Sequence, residues 1–349
     1  MAKLKMGVIG MGMGRAHIRG YQAHPGAEVV ALCDVDGKRL KAAGEEVGVP
    51  ESGRYADAEE MFRKAGLDAV SVAVPNKYHA PLTIAALKRG LHVLCEKPMA
   101  MGVREAERMN TAAEKAGRNL MINFSFRFTE ASYALKRQVD AGAVGHIYFG
   151  RTVWHRRRGL PGFGGWFGQR ALSGGGPLVD LGVHRLDLAL WLMGFPEPVA
   201  VSGSTYNAIA KRLARAERKK FDVEDLACGL VKFANGATLV LEASWALNQG
   251  EGEHMVTALY GDRGGLVHRN VGGGYEFTAE LFTDEGGDLF TKKLDRRTGP
   301  TPSSYGEFVN SILEERAPLA TGAQGLKVMK ILEGIYRSAA TGREVRYRP

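Results

Sequence analysis

Residues 4–34 read LKMGVIGMGMGRAHIRGYQAHPGAEVVALCD, and this stretch decides the fold. The apolar run 4–10 is a strand. Gly10, Gly12, Met13 and Gly14 follow it at once, and 15–21 reads as a helix. Glycines let a backbone come close to a pyrophosphate, while a helix N-terminus offers free N–H groups and the positive end of its dipole. The usual spacing is GxGxxG; here the third glycine comes one residue early and Arg15 stands in its place. A second strand, 28–33, ends in Asp34, 20 residues beyond Gly14. An acid there accepts from the ribose hydroxyls of an adenine dinucleotide and repels a 2′-phosphate, so NAD is expected over NADP. Lys38 and Arg39 lie just beyond and leave NADP possible. Asp34 has a second use open to it, as the cap of the helix expected over 37–47. Strand, glycine loop, helix, strand and acid in this order favour the dinucleotide.

The pattern then repeats. Asp57 caps a helix to residue 64, and AVSVAV at 69–74 is a continuous apolar strand of the buried parallel type. It runs into Pro75, Asn76, Lys77, Tyr78 and His79, with a helix over 81–89. A strand at 92–95, a helix at 104–116 and a strand at 119–124 complete a doubly wound α/β Rossmann domain, expected over 1–125. Ligands of such sheets sit beyond the carboxyl ends of the strands, where 92–95 delivers Glu96, Lys97 and Pro98. A lysine held there against apolar walls is a candidate for a depressed pKa and for handling protons or charge. A Glu-Lys pair taken at random is more often a surface ion pair. Pro98 limits the freedom of Lys97 and favours the functional reading, and the Lys97–Pro98 peptide is expected to be cis.

The second half, 126–349, changes character. Helices over 130–140, 177–193, 305–315 and 324–340 alternate with strands at 147–155, 199–206, 226–233, 237–245 and 255–260. Asn235-Gly236 is a two-residue hairpin signal. This reads as an α+β domain with an open, mostly antiparallel sheet.

A chain of 349 residues is long enough for two domains, and 45% hydrophobic with 24% charged residues is ordinary for a globular protein. The net charge of +9 suits an anionic ligand. Basic residues cluster only at Arg156–Arg158 and around 211–220, without aromatic interleaving, so no nucleic-acid partner is expected. Three cysteines without CxxC spacing suit a reducing compartment, and no apolar run is long enough for a signal or a span. A cytoplasmic protein with no membrane partner is the expectation.

Asp180 and His184 are four apart in PLVDLGVHRLDLALWL, about 6 Å of helix rise, and share a face near Asp187. Such a face could be a salt-bridged surface, part of a metal site, or an acid/base pair in which the aspartate orients the imidazole. Nothing supplies the further ligands a metal needs, and no metal is expected. The run Gly174–Gly176 suggests that something approaches the helix N-terminus closely. Upstream, Arg156 to Arg158 leave a strand that carries Trp154 and His155. An arginine at the pocket mouth would bind a substrate carboxylate, phosphate or hydroxyls, and a solvated charge run is the bland alternative.

The segments GVIGMGMGRAH, VPNKYH, LCEKPMA and LSGGGPLVDLGVHRLDLALWLMG resemble the glucose-fructose oxidoreductase, inositol dehydrogenase and rhizopine-catabolism family (Gfo/Idh/MocA), over essentially the whole chain. The resemblance implies Lys97, Asp180 and His184 as catalytic residues on facing edges of two domains, a nicotinamide cofactor, and a homo-oligomer (dimer or tetramer) built through the second domain's sheet. The expected cofactor set is Gly10, Gly12, Met13, Gly14, Asp34, Arg39, Pro75, Asn76, His79, Glu96, Lys97, Asn123, Trp166 and Arg170. The expected substrate set is Lys97, Arg127, Trp154, His155, Arg156, Asp180 and His184. Trp166 is followed by Phe167 where the family often has arginine, and Arg170 is the alternative source of that contact. The implied activity is NAD(P)-dependent oxidation of a secondary hydroxyl of a sugar, polyol or inositol-like substrate, or reduction of the ketone. A redox-neutral, NAD-dependent glycosidase and a non-catalytic sugar sensor on the same fold are the alternatives.

Overall fold

The computed structural model describes residues 3–295 and 298–347. The chain groups into two units: Met1–Asn123 with Pro302–Leu326, and Phe124–Thr301 with Lys327–Pro349. The expectation of one continuous second domain is therefore corrected, because Pro302–Leu326 returns to the first unit. Its helix Ser304–Leu313 packs on the helix Gly14–Gln22, where a Cβ on Gly20 would stand 2.2 Å from the Tyr305 ring. An amphipathic pattern shows that a helix face is buried, not which surface buries it.

The first unit is a six-stranded parallel sheet: β1 (Leu4–Ile9), β2 (Ala27–Cys33), β3 (Arg54–Tyr55), β4 (Ala69–Val72), β5 (His92–Cys95) and β6 (Leu120–Ile122). The order is β3-β2-β1-β4-β5-β6. The order reverses between β1 and β4, and a crevice at such a switch point is where open α/β sheets take ligands. The register is level there: Ile9 pairs with Cys33 and Val72, Val72 with Cys95, and Cys95 with Ile122. Gly10, Asp34, Ala73, Glu96 and Asn123 thus follow the sheet in one row.

The second unit holds β7 (Ile147–Arg156), β8 (Pro198–Tyr206), β9 (Leu226–Phe233), β10 (Thr238–Ser244), β11 (Glu253–Gly261), β12 (Gly264–Asn270), β13 (Phe277–Glu285), β14 (Asp288–Lys293) and β15 (Val345–Arg346). They form one nine-stranded sheet, β14-β13-β12-β11-β7-β10-β9-β8-β15. All its pairs are antiparallel except β7 with β10. The strands after 260 were not foreseen, nor was the helix Ile209–Ala216, which lies in the stretch read only as basic. Gly236, at φ 85°, makes the turn between β9 and β10 as expected.

One face of this sheet is covered. Gly229 and Gly203 leave room for Ile335, to which added Cβ atoms would come within 2.6 and 2.7 Å. The helix Val183–Leu192 lies on β7, buried all round. The expected helix over 177–193 begins instead as one π-helical turn, Leu178–Gly182. Such turns are rare and recur at functional sites.

Candidate functional site

In the first unit the glycine loop divides its work by position. Gly10 sits at φ 91°, and a Cβ there would stand 2.2 Å from the Ala73 carbonyl oxygen. A Cβ on Gly14 would stand 2.8 Å from Val8, so this glycine serves helix-to-strand packing one residue earlier than the usual spacing. A Cβ on Gly12 would meet nothing within 4 Å, and Met13 beside it is exposed. The Asp34 carboxylate closes the loop by accepting from Met11 N at 2.7 Å and from Asp36 N at 2.8 Å. The helix Gly37–Val47 is capped by Asp36, which accepts from the backbone of Lys38 and Arg39 and pairs with the Arg39 guanidinium at 3.0 Å. The capping role open to Asp34 belongs to Asp36.

The Lys97–Pro98 peptide is cis. Behind it lies a polar network that the sequence reading missed. His17 Nε2 and Asn123 Nδ2 meet the same Glu96 oxygen at 2.9 and 2.7 Å, and the other Glu96 oxygen accepts from Lys97 N. His17 Nδ1 and the Tyr21 hydroxyl reach Ser71 Oγ. Burial alone would raise the Glu96 pKa, but His17 and Asn123 hold it down at about 2. A buried carboxylate with this many partners stays ionised and fixes the backbone that carries Lys97. The signal for His17 was present in the helical spacing that turns it, with Ile18 and Tyr21, toward the sheet.

His79 bonds through Nδ1 to the Pro98 carbonyl at 2.7 Å and through Nε2 to the Val74 carbonyl at 2.8 Å. His79, Glu96 and Asn123 are all buried; His79 and Glu96 are bonded within the chain, and Asn123 gives its Nδ2 to Glu96. In this arrangement they hold the turn. Pro75 and Asn76 stand where β4 hands over to the helix His79–Lys88, with Asn76 buried and Pro75 partly exposed.

In the second unit Asp180 lies on the π-helical turn, and its Oδ2 accepts from Trp245 Nε1 at 2.9 Å. His184, 9% exposed, packs on Phe126 and Trp154 with ring centroids 4.9 and 5.7 Å away. Asp187 does not join them. It is fully buried and holds Arg127 in a bidentate pair at 2.8 and 2.5 Å. Arg127, 0% exposed, also lies over the Phe124 and Phe195 rings, which places it in a core ion pair.

The substrate expectations on β7 separate by strand alternation. Trp154 and Arg156 share the covered face. Trp154 is 3% exposed and donates to Glu253 at 2.6 Å, so it supports His184 and is no open stacking platform. Arg156 stacks on Trp154, pairs with Glu253 at 2.8 Å and donates to the Tyr275 hydroxyl at 2.7 Å. His155 points to the opposite face, beside Glu242 at 3.4 Å. Arg158 is tied to Asn248 at 2.7 Å.

Gly174–Gly176 does admit something closely, but from within the chain. Added Cβ atoms on Gly175 and Gly176 would meet the Tyr336 hydroxyl at 1.9 Å and the Glu224 carbonyl oxygen at 2.1 Å. Glu224 accepts from Gly176 N, Leu178 N and Tyr336, so a buried carboxylate occupies the helix start. Trp166 stacks on Phe167 at 3.8 Å, and Arg170 lies over the Tyr336 ring at 5.3 Å. Among the described residues no cluster of His, Cys, Asp or Glu is placed to hold a metal, and no helix is long and apolar enough to cross a membrane.

Residues 4–124 match an oxidoreductase family with an NAD-binding Rossmann fold, and residues 133–267 match the GFO/IDH/MocA C-terminal domain. D-glucoside 3-dehydrogenase of Escherichia coli (strain K12) is 33% identical over 352 residues, covering 98% of this chain and 97% of that protein. The aldose-aldose oxidoreductase of Caulobacter crescentus, solved with glycerol, superposes with a TM-score of 0.84 at 29% identity, covering 99% of this chain and 100% of that one. Levoglucosan dehydrogenase solved with NADH superposes with a TM-score of 0.86 at 25% identity, covering 99% of each.

Proposed function

The chain belongs to the GFO/IDH/MocA oxidoreductase family, and from that premise we propose that it is an NAD-dependent dehydrogenase oxidising a secondary hydroxyl of a sugar, polyol or inositol-like substrate. The observation that carries the reading is the glycine loop closed onto Asp34. Its residues fit the cofactor: Gly10, Gly12 and Met13 for the pyrophosphate, Asp34 for the adenosine ribose, and Trp166 with Arg170 as further contacts. Bound NAD supplies the hydride acceptor. His184 takes the proton from the substrate hydroxyl. Lys97 donates a hydrogen bond to the same oxygen and stabilises the alkoxide charge that develops there. Asp180 orients His184 or binds a neighbouring hydroxyl.

A panel of sugars, glycosides, polyols and inositols, assayed for NAD reduction, tests this. Turnover of none of them, with NADH binding intact, would leave the sensor reading. Cleavage of a glycoside without net NADH would mark the redox-neutral one. The same panel run with NADP checks cofactor choice. Repulsion between Asp34 and a 2′-phosphate is worth roughly 1–3 kcal/mol. The expected result is at least a tenfold preference for NAD in kcat/KM, and comparable values for both cofactors would transfer the decision to Lys38 or Arg39. Arg156, the one arginine of its run joined to the Trp154–Glu253–Tyr275 group, is proposed as a substrate contact. Arg156→Ala should raise KM about tenfold with kcat nearly unchanged, because such a contact serves ground and transition states alike. An unchanged KM would return it to structure.

A homo-oligomer and a cytoplasmic setting are part of the same proposal. The uncovered sheet face bears Phe149 stacked on Tyr260 at 6.0 Å, and Leu230 on β9 is exposed as well. Light scattering should give a mass at least twice 37.8 kDa, and a lower mass for Tyr260→Glu. A monomer would end that part. The unbonded thiols Cys33, Cys95 and Cys228 support a reducing compartment.

A further inference from the structure

The turn between β12 and β13, residues 271–276, presents Tyr275 56% exposed. A single exposed apolar side chain needs no explanation, but this one is held in place. Its hydroxyl accepts from Arg156 Nη2 at 2.7 Å and donates to Glu253 Oε1 at 3.3 Å. The same Glu253 oxygen accepts from Trp154 Nε1 and Arg156 Nε, at 2.6 and 2.8 Å. The turn itself is equally fixed. Gly272 and Gly273 take φ of 58° and 72°, a region other residues rarely enter. The Asn270 side chain donates to the Gly274 and Glu253 carbonyls at 3.2 and 3.1 Å and accepts from Met255 N at 2.8 Å, which ties the turn to β11. Phe277 then enters the core edge-on to Phe126, centroids 5.6 Å apart. Ordering a tyrosine in this way costs conformational entropy, and an exposed ring regains little of it by burial.

The surroundings supply a reason. Trp154 neighbours both Tyr275 and His184, with ring centroids 6.1 and 5.7 Å away. Burial works against the Arg156 cation, yet Glu253, Tyr275 and Asp180 hold its pKa above the usual value, so Asp180 lies within electrostatic reach of the same group. An aromatic ordered in advance at the edge of such a site offers a ligand an apolar face at little further cost in entropy. A six-membered sugar ring with equatorial hydroxyls has the matching shape: its axial C–H bonds form an apolar face, and its hydroxyls form a polar rim. An open-chain polyol has no fixed face of this kind. We propose that Tyr275 is a specificity-determining residue that stacks on the axial C–H face of a pyranose, with Arg156 at the hydroxyl rim, and so favours ring sugars over open-chain polyols.

The inference deepens the dehydrogenase reading and rests on it for the kind of ligand, but its test reads binding and not turnover. Methyl β-D-glucopyranoside and D-sorbitol are the probes, titrated calorimetrically into the full chain saturated with NADH, so that neither is oxidised. The parent should bind the pyranoside about tenfold more tightly than sorbitol, the size of one good stacking contact. Tyr275→Ala should weaken pyranoside binding about tenfold and leave sorbitol within about twofold. Tyr275→Phe keeps the ring and should stay within about threefold of the parent for the pyranoside. Tyr275→Gln supplies the ringless comparison if Tyr275→Ala does not fold. Saturation-transfer NMR on the parent should show the largest transfer at the axial protons of one face of the pyranoside. Absent pyranoside binding or equal binding of the two probes by the parent overturns the proposal. So does an unchanged affinity in the ringless variant, or an equal loss in Tyr275→Phe. A Tyr275-dependent preference in a protein that turns over no substrate of the panel upholds the inference and removes the dehydrogenase reading. Turnover without that preference does the reverse.

Discussion

Lys97→Met is expected to lower kcat by a factor of about 10²–10⁴, the range for loss of a positioned proton or charge partner in a transition state. The substitution should leave the turn intact, because the structure holds that turn through groups other than the Lys97 side chain. Glu96 accepts from the Lys97 backbone N–H, and His79 holds the Pro98 carbonyl. NADH affinity, read by fluorescence, should therefore change little, and KM should change less than kcat. His184→Gln should fall in the same range but with a different pH signature, since it removes the group assigned as proton acceptor. Combining the two should cost much less than the product of the single losses, as happens when residues act on one step as a unit. A Lys97→Met enzyme within about fivefold of the parent in kcat would remove Lys97 from the chemistry and leave it a surface lysine beside a structural turn.

The second large effect concerns stability. Arg127→Met is expected to cost the second unit about 3–5 kcal/mol, because it leaves the Asp187 carboxylate buried without its partner. For a unit of this size that corresponds to a fall of roughly 10 °C in its unfolding midpoint. Burial already pushes the Asp187 pKa up, with Arg127 opposing it, so loss of the arginine lets the carboxyl become protonated and softens the penalty at acid pH. The double variant Arg127→Met/Asp187→Leu should recover most of the loss, since a matched apolar pair needs no charge compensation. Differential scanning calorimetry of the parent and the two variants checks this. A single variant melting within about 2 °C of the parent would mean that Asp187 finds another partner or is never charged in the fold.

The reading of Arg127 shows where sequence reasoning stops. It stood in the substrate set expected alongside the family resemblance. Only the packing of Ser125–Phe128 against the helix Val183–Leu192 brought it to Asp187, 60 residues away. For His155 the strand was legible, but alternation on β7 gives Trp154 and His155 opposite faces, and the sequence does not say which face is covered. For Gly174–Gly176 the inference of a close approach held, yet the approaching groups were Glu224 and Tyr336, both distant in sequence.

The sequence alone determined the features that depend on nearest neighbours. These are the continuous apolar runs that make parallel strands, the glycine turn before a helix, the acid at the end of β2, and the Asn235-Gly236 turn. Each is set by local sterics, by hydrogen bonding within a few residues, or by a periodicity readable along one segment. The tertiary structure decided which polar side chains are spent inside the fold and which are left for chemistry. His17, Glu96 and Asn123 became one buried network only because β1, β4, β5 and β6 end level. Arg185 became a buried cation caged by rings only because Phe126, Trp154 and Phe277 converge from three separate segments. The physical reason is that burial and pairing are properties of the space around a group, and that space is filled by residues remote in the chain, whose identity no local pattern carries.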